Sequence, residues 1–284
     1  MSTNVLFDAP GPRTVVRHRI YSIVTVIALV LLLAYAVKKL YDAGQFEYAL
    51  WEPFFTPDYV DALLVDGLLE TLKMAFTAII GAVVFGAFFG IGKLSDHRFV
   101  RWPCWAVVEF FRAIPVLLLM VFIWYALGIQ NDGSSYWGVV IALTLYNGSV
   151  LAEVLRAGVL AVPKGQAEAA YAVGMRKGQV MNLIQLPQAV KIMLPAIISQ
   201  CVVALKDTAL GQYILAPGLT AVAKQIYLAF GNLIPTIIVV AAIYNVVNLI
   251  LTWLATLAQK RFVGENKKPL DIPMVGAADT AGKN

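Results

Sequence analysis

Residues Gly165–Pro195 read "GQAEAAYAVGMRKGQVMNLIQLPQAVKIMLP", a charged, alanine-rich stretch set between two long apolar runs. Pro163 suits the first turn of a helix, where its missing N–H costs nothing. Residues 166–173, "QAEAAYAV", are mostly good helix formers, and Gly174 reads as the C-terminal stop. A second segment over about 177–186 is expected to end before Pro187, which disfavours helix in the residue preceding it. Pro195 then marks the start of the next apolar run. The stretch is therefore expected to form helix, glycine turn, helix, with Glu168, Arg176 and Lys177 on a small-residue body. By pattern alone it is either a docking element or an amphipathic hairpin lying on lipid headgroups.

The rest of the chain says where this element sits. Of the 284 residues, 60% are hydrophobic and only 14% charged, against about 25% charged in soluble domains. With a mean hydropathy of +0.75 this is an integral membrane protein. A spanning helix needs about 20 mostly apolar residues. Six candidates follow, at about 20–38, 67–93, 104–129, 136–161, 194–216 and 233–258. With the N-terminus inside, the inner pieces 1–19, 93–101, 157–195 and 259–284 hold 15 of the 22 Lys and Arg residues, and the outer pieces hold only Lys38, Lys39 and Lys224. The positive-inside bias thus puts both termini and the Gly165–Pro195 stretch in the cytoplasm. The outer segment from Asp42 to Asp66 carries six acidic residues and no basic one, in agreement. The first apolar run, "RHRIYSIVTVIALVLLLAYA", has the basic start of a secretory signal. Its length and the following Lys38 and Lys39 favour an uncleaved anchor.

The net charge of +5 is dispersed between apolar runs rather than gathered in one patch, which argues against a nucleic-acid partner. Cys104 and Cys201 have neither disulfide nor metal spacing, and His18 and His97 read as solvated. A phosphate-binding loop would need Gly-x4-Gly-Lys-[Ser/Thr]. The nearest run, "AFFGIGKL", has Ala87 for the first glycine and Leu94 for the hydroxyl, and lies on a membrane helix. Gly86-x3-Gly90 within it reads instead as a helix-packing motif.

Glu168-Ala169-Ala170, three residues, Gly174, nine residues, then Ile184-x-Leu186-Pro187 resembles the EAA signature of ABC importer permeases position for position. The surrounding "VPKGQAEAA", "LPQA" and "LKDTAL", with "EFFRAIP" (Glu109–Pro115) and "LAEVLRAG" (Leu151–Gly158), resemble the subgroup that imports polar amino acids. The resemblance spans about residues 66–258, and the whole chain looks most like actinobacterial glutamate-uptake permeases. It implies an all-α type I importer permease fold of about six transmembrane helices, with a cytoplasmic coupling loop over 163–187. The residues it implies for ATPase coupling are Gln166, Glu168, Ala169, Ala170, Gly174, Arg176, Lys177, Leu186 and Pro187. It implies a second permease subunit (a paralogue favoured, an identical copy allowed), two ATPase subunits and an extracytoplasmic binding protein. It also implies that ATP-Mg belongs to the ATPase, and that this chain is a transporter subunit of a bacterial plasma membrane with no cofactor of its own. One departure stands out. Members often place Ser or Thr shortly after the loop glycine to cap the second short helix, whereas Arg176 and Lys177 follow Met175 here. Either the cap comes from elsewhere or the ATPase presents an acidic surface.

Charges within spans are costly and are usually paired or functional. Glu109 and Arg112, and again Glu153 and Arg156, stand three apart near the inner ends of the third and fourth spans. Each pair shares a helix face. They read as a structural clamp between the two helices or as part of an inner gate. Lys206, Asp207 and Thr208 lie farther out on the fifth span, about 17 Å beyond Pro195 at 1.5 Å per residue. Lys73 enters from the outer end of the second span, and Asn147 and Ser149 fall near the middle of the fourth. Lys206 and Asp207 offer a cation and an acceptor, as an amino acid's carboxylate and ammonium require, or else form a mutual or interhelical ion pair. Two lysines against one aspartate favour an acidic or neutral substrate, glutamate first, over glutamine or arginine. An ion-gradient transporter is the rival reading, but the chain shows no convincing inverted repeat. The organisation expected is a tail over 1–19, an extra spanning helix over 20–40, an acidic outer segment over 41–66, a permease core over 67–258 and a polar, disordered tail over 259–284.

Overall fold

The computed structural model describes residues 12–263, so the extreme N-terminus and the polar tail after Val263 lie outside the described residues. The described residues are nearly all helical, with no strand among them. Helix α1 (Pro12–Asp42) is exposed along its whole apolar length. Two short turns, Tyr48–Trp51 and Glu52–Phe55, lead into α2 (Pro57–Lys93). Then come α3 (Arg98–Ala113), α4 (Val116–Leu127) and α5 (Ser134–Leu160). The quoted stretch supplies α6 (Lys164–Ala172) and the start of α7 (Lys177–Ile214), and α8 (Leu219–Phe230) and α9 (Leu233–Val263) complete the chain.

Helix α5 is the axis of the bundle, with 61% of its apolar window buried against 33% or less in the other single-helix spans. Its main partner is α2, and small residues let the two backbones close up. A methyl group added at Gly86 would sit 2.7 Å from Leu151 Cβ, and one at Gly90 would sit 2.8 Å from Leu155 Cδ2 and 2.9 Å from the Ala152 carbonyl. Gly148 returns the fit, since a methyl group added there would sit 2.8 Å from Phe85 Cδ1. This is the close approach that Gly86-x3-Gly90 foretold. Gly86→Val is expected to cost about 1–3 kcal/mol through overpacking. Loss of monodisperse protein in size-exclusion chromatography, with Ala87→Val as the unaffected exposed control, would report it.

Three spans differ from their expected form. The third is broken: α3 and α4 meet at Ile114–Pro115 with a bend of 104°. Pro115 withholds its N–H and holds Ile114 extended (φ −85°, ψ 129°), so the helix cannot run on. The second begins earlier than Gly67. Residues Pro57–Asp61 and a wide π-helical stretch, Ala62–Leu69, run straight into it, so part of the acidic outer segment is helix rather than connection. The outer connection 217–232 likewise holds α8, whose Leu219 and Ile226 pack on Leu63. The backbone N–H of Leu219 donates to Thr71 Oγ1 (2.8 Å), tying α8 to α2.

The fifth span departs furthest. The second short helix does not stop before Pro187, and α7 continues without a break from Lys177 through Pro187 and Pro195. The π-helical stretch Val180–Gln185 makes this possible. Its wider turn relieves the clash of the Pro187 ring with the carbonyl four residues back. The Gln188 side-chain amide donates to the Ile184 carbonyl (2.9 Å) within the same region.

Candidate functional site: a coupling loop and an inner charge cluster

Helix α6 turns into α7 at Gly174, whose φ of +82° lies in the left-handed region that suits glycine. The Gly174 N–H donates to the Tyr171 carbonyl and the Met175 N–H to the Ala170 carbonyl, closing the end of α6. In place of a Ser/Thr cap, Gln179 Oε1 reaches back to accept the Arg176 backbone N–H at 2.8 Å, and no side chain caps the first N–H groups of α7. Lys177 forms an ion pair with Asp96 in the turn between α2 and α3. Hydrogen bonding to Lys177, with its charge close by, holds the Asp96 carboxyl below the usual range. Because that value is depressed, the pair persists through neutral pH and is lost only as pH falls through it. Gln166 Oε1 receives a long hydrogen bond from Gln188 (3.4 Å), linking α6 to the base of α7.

The loop divides into two faces. Ala170 and Val180 are buried beneath it, and Leu186 is half-buried. Glu168, Ala169, Arg176 and Pro187 are exposed, and so are three large apolar side chains, Tyr171, Val173 and Leu183. Apolar groups gathered on an otherwise charged loop form an exposed patch of the kind that meets another protein or the membrane surface.

At the same end of the bundle, the two expected ion pairs are present. Arg112 reaches Glu109 at 3.2 Å and Arg156 reaches Glu153 at 2.7 Å. The link between them is a residue that sequence reasoning had counted among the loop charges. Lys93 ends α2 with its side chain 4% exposed, and its Nζ lies 2.6 Å from Glu153 and 3.2 Å from Glu109. One buried ammonium thus joins α2, α3 and α5. A signal was present, since Gly86, Gly90 and Lys93 follow a helical i, i+4, i+7 spacing and so share the face that meets α5. A cavity of about 510 Å³ opens beside this cluster, lined by Lys93, Arg101, Trp102, Trp105, Glu109, Glu153 and Arg156.

The farther-out candidates do not close into one pocket in the single chain. Lys73 pairs with Glu70 on its own helix (2.6 Å) and lies half-exposed along an apolar groove beside Leu205 and Leu251. Lys206 is exposed and Asp207 half-buried, and among the described residues neither forms an ion pair. Thr208 is buried and donates to the Leu205 carbonyl, and Ser149 donates to the Leu145 carbonyl. Asn147 is buried and accepts a short hydrogen bond from Gln200, a residue the sequence reading passed over. This bond leaves the Asn147 amide nitrogen without a partner.

Residues 82–264 match the family described as the binding-protein-dependent transport system inner membrane component. The chain belongs to that family. Among curated relatives of this permease, the glutamate transport system permease protein GluD of Corynebacterium glutamicum is 41% identical over 77% of this chain and 81% of its own. The arginine transport system permease protein ArtQ of Bacillus subtilis is 31% identical over 70% and 91%. Among solved structures, an amino acid ABC transporter crystallised with histidines superposes with a TM-score of 0.67 at 31% identity, covering 72% of this permease and 95% of that chain. The inward-facing MetNI methionine transporter gives 0.60 at 25% identity, over 71% and 95%. The permease therefore has the type I ABC importer fold, and the family is one of transporter subunits rather than enzymes.

Proposed function

We propose that this permease carries glutamate inward through an ATP-driven importer by alternating access. It would work beside a second permease subunit, a paralogue in preference to an identical copy, with two ATPase subunits and an extracytoplasmic binding protein. The termini and the coupling loop would face the cytoplasm, a reading that the Lys and Arg distribution supports. ATP-Mg would be held by the ATPase subunits and supply the energy of closure. The work of this chain is mechanical. Motion imposed on α6 passes through Gly174 into α7, which carries it to Lys206 and Asp207 near its outer end.

The observation that carries the reading is the uncovered stripe along α7. Ile192, Ala196, Ser199, Val203 and Lys206 follow helical spacing and are all exposed, although the helix is apolar enough to span. A second subunit facing this stripe would enclose a path with Lys206 at its outer part. Lys206 would receive the substrate's carboxylate and Asp207 its ammonium, with Thr208, Lys73, Asn147 and Ser149 as further contributors. Glutamate is favoured over glutamine or arginine by the excess of lysine and by the identity to GluD.

The test is reconstitution with the matching ATPase and binding protein in vesicles loaded with ATP. Labelled glutamate uptake should require ATP, survive ionophores and resist competition by arginine. Loss of a hydrogen bond to a charged group is worth about 1.5–3 kcal/mol, so Lys206→Ala should lower uptake by about 10- to 100-fold. If Lys206→Ala and Lys73→Ala both leave uptake unchanged, the substrate path does not involve these lysines.

A further inference from the structure

We propose that the cavity beside Lys93 holds the phosphate headgroup of an anionic glycerophospholipid from the inner leaflet. The cavity lining carries two carboxylates, Glu109 and Glu153, and three cations, Lys93, Arg101 and Arg156. Lys93 and Arg156 pair with the carboxylates, and Arg112, outside the lining, pairs with Glu109 as well. Arg101 has no ion-pair partner among the described residues, so the lining keeps an excess positive charge. A cavity of about 510 Å³ with this imbalance calls for an anion. Its walls say which kind. Trp102 and Trp105 stack edge to face beside Arg101 and are 60% and 48% exposed, and Phe99 and Phe110 project from the same helix. Basic side chains set among exposed aromatics at the end of a span are the chemistry of the membrane interface. An arginine fork matches a phosphate, and the aromatic face offers a wall for acyl chains. Glu109, 38% exposed, presents an acceptor to headgroup hydroxyls, which selects phosphatidylglycerol over phosphatidylcholine. The inner-leaflet assignment rests on the orientation given above, but binding itself needs neither substrate nor ATPase, so its failure and the failure of the transport reading are separable.

Native mass spectrometry of the full chain in detergent, titrated with phosphatidylglycerol, phosphatidylcholine, inorganic phosphate and glutamate, tests this. About one tightly held phosphatidylglycerol per chain is expected, with a basic residue at the interface worth about fivefold in retention. Arg101→Gln should lose that factor, Arg101→Lys should keep most of it, and Arg98→Gln, one turn away and outside the cavity, should match the wild type. Should Arg101→Gln not fold, Trp105→Ala, which keeps every charge, should still lower retention. Equal retention of phosphatidylcholine, or equal loss in Arg98→Gln, overturns the proposal. Displacement of the lipid by inorganic phosphate or by glutamate also overturns it, in favour of a free-anion or substrate site.

Discussion

Lys93→Met is expected to destabilise the permease more than any other single change in the charge cluster. The Nζ it removes lies 2.6 Å from Glu153 and 3.2 Å from Glu109, on a side chain 4% exposed. Without it, α3 and α5 face each other through two carboxylates, each left with one arginine on its outer flank. Breaking a buried pair by deleting one partner costs about 3–5 kcal/mol. The lower end applies here, because both carboxylates keep some solvent and their own arginine. Against a typical stability of about 5–15 kcal/mol this is a large fraction. The thermal midpoint of detergent-purified protein should fall well below that of the wild type. Lys93→Met with Glu153→Gln should recover much of the loss, because the uncompensated charge is gone. A Lys93→Met protein melting with the wild type would mean that the bridge adds nothing to the joint between α2, α3 and α5.

Inserting Gly-Gly between Gly174 and Met175 is expected to abolish uptake while leaving the surface of α6 intact. The turn there is one residue deep, with φ +82° and hydrogen bonds from Gly174 and Met175 back into α6. Beyond it α7 is unbroken from Lys177 to Ile214. Two added glycines replace this stiff joint by a slack one. The exposed Tyr171, Val173 and Glu168 would still be offered to the ATPase. The expected result is normal co-purification and continued ATP hydrolysis with uptake reduced at least about tenfold, the decoupling of a lever from its load. Loss of co-purification would instead show that the insertion disturbs docking, and unchanged uptake would show that the turn transmits nothing.

Much of the architecture was legible because lipid forces it to be. Apolar runs must be long enough to span, so the spans could be read from residue order alone. Gly86 and Gly90 marked a packing face on α2, since only small residues allow such an approach, and the structure adds that its partner is α5. The break at Pro115 was legible too, through its effect on Ile114, but the apolar run across it hid the signal. Helix α8 sits between Gly218 and Gly231 and could have been read from that bracketing. Gln200 was not recoverable in the same way, because its role depends on which helices meet. The spacing from Gly86 and Gly90 places Lys93 on the packing face of α2, but it does not state that Lys93 reaches a residue sixty positions later. Pro187 misled in the opposite sense, because its penalty is real in an α-helix but is relieved in a wider turn.

That wider turn has a consequence for the whole of α7. A π-helical stretch accommodates an extra residue in the helix, and each residue carries about 100° of rotation. Val180–Gln185 therefore sets the azimuth of everything beyond it, including the exposed line from Ile192 to Lys206. The face that meets α6 at the bottom and the face that carries Lys206 near the top are held in phase by these six residues. Tightening that stretch by one residue would leave every side chain of α7 chemically intact and turn all of them away from their partners.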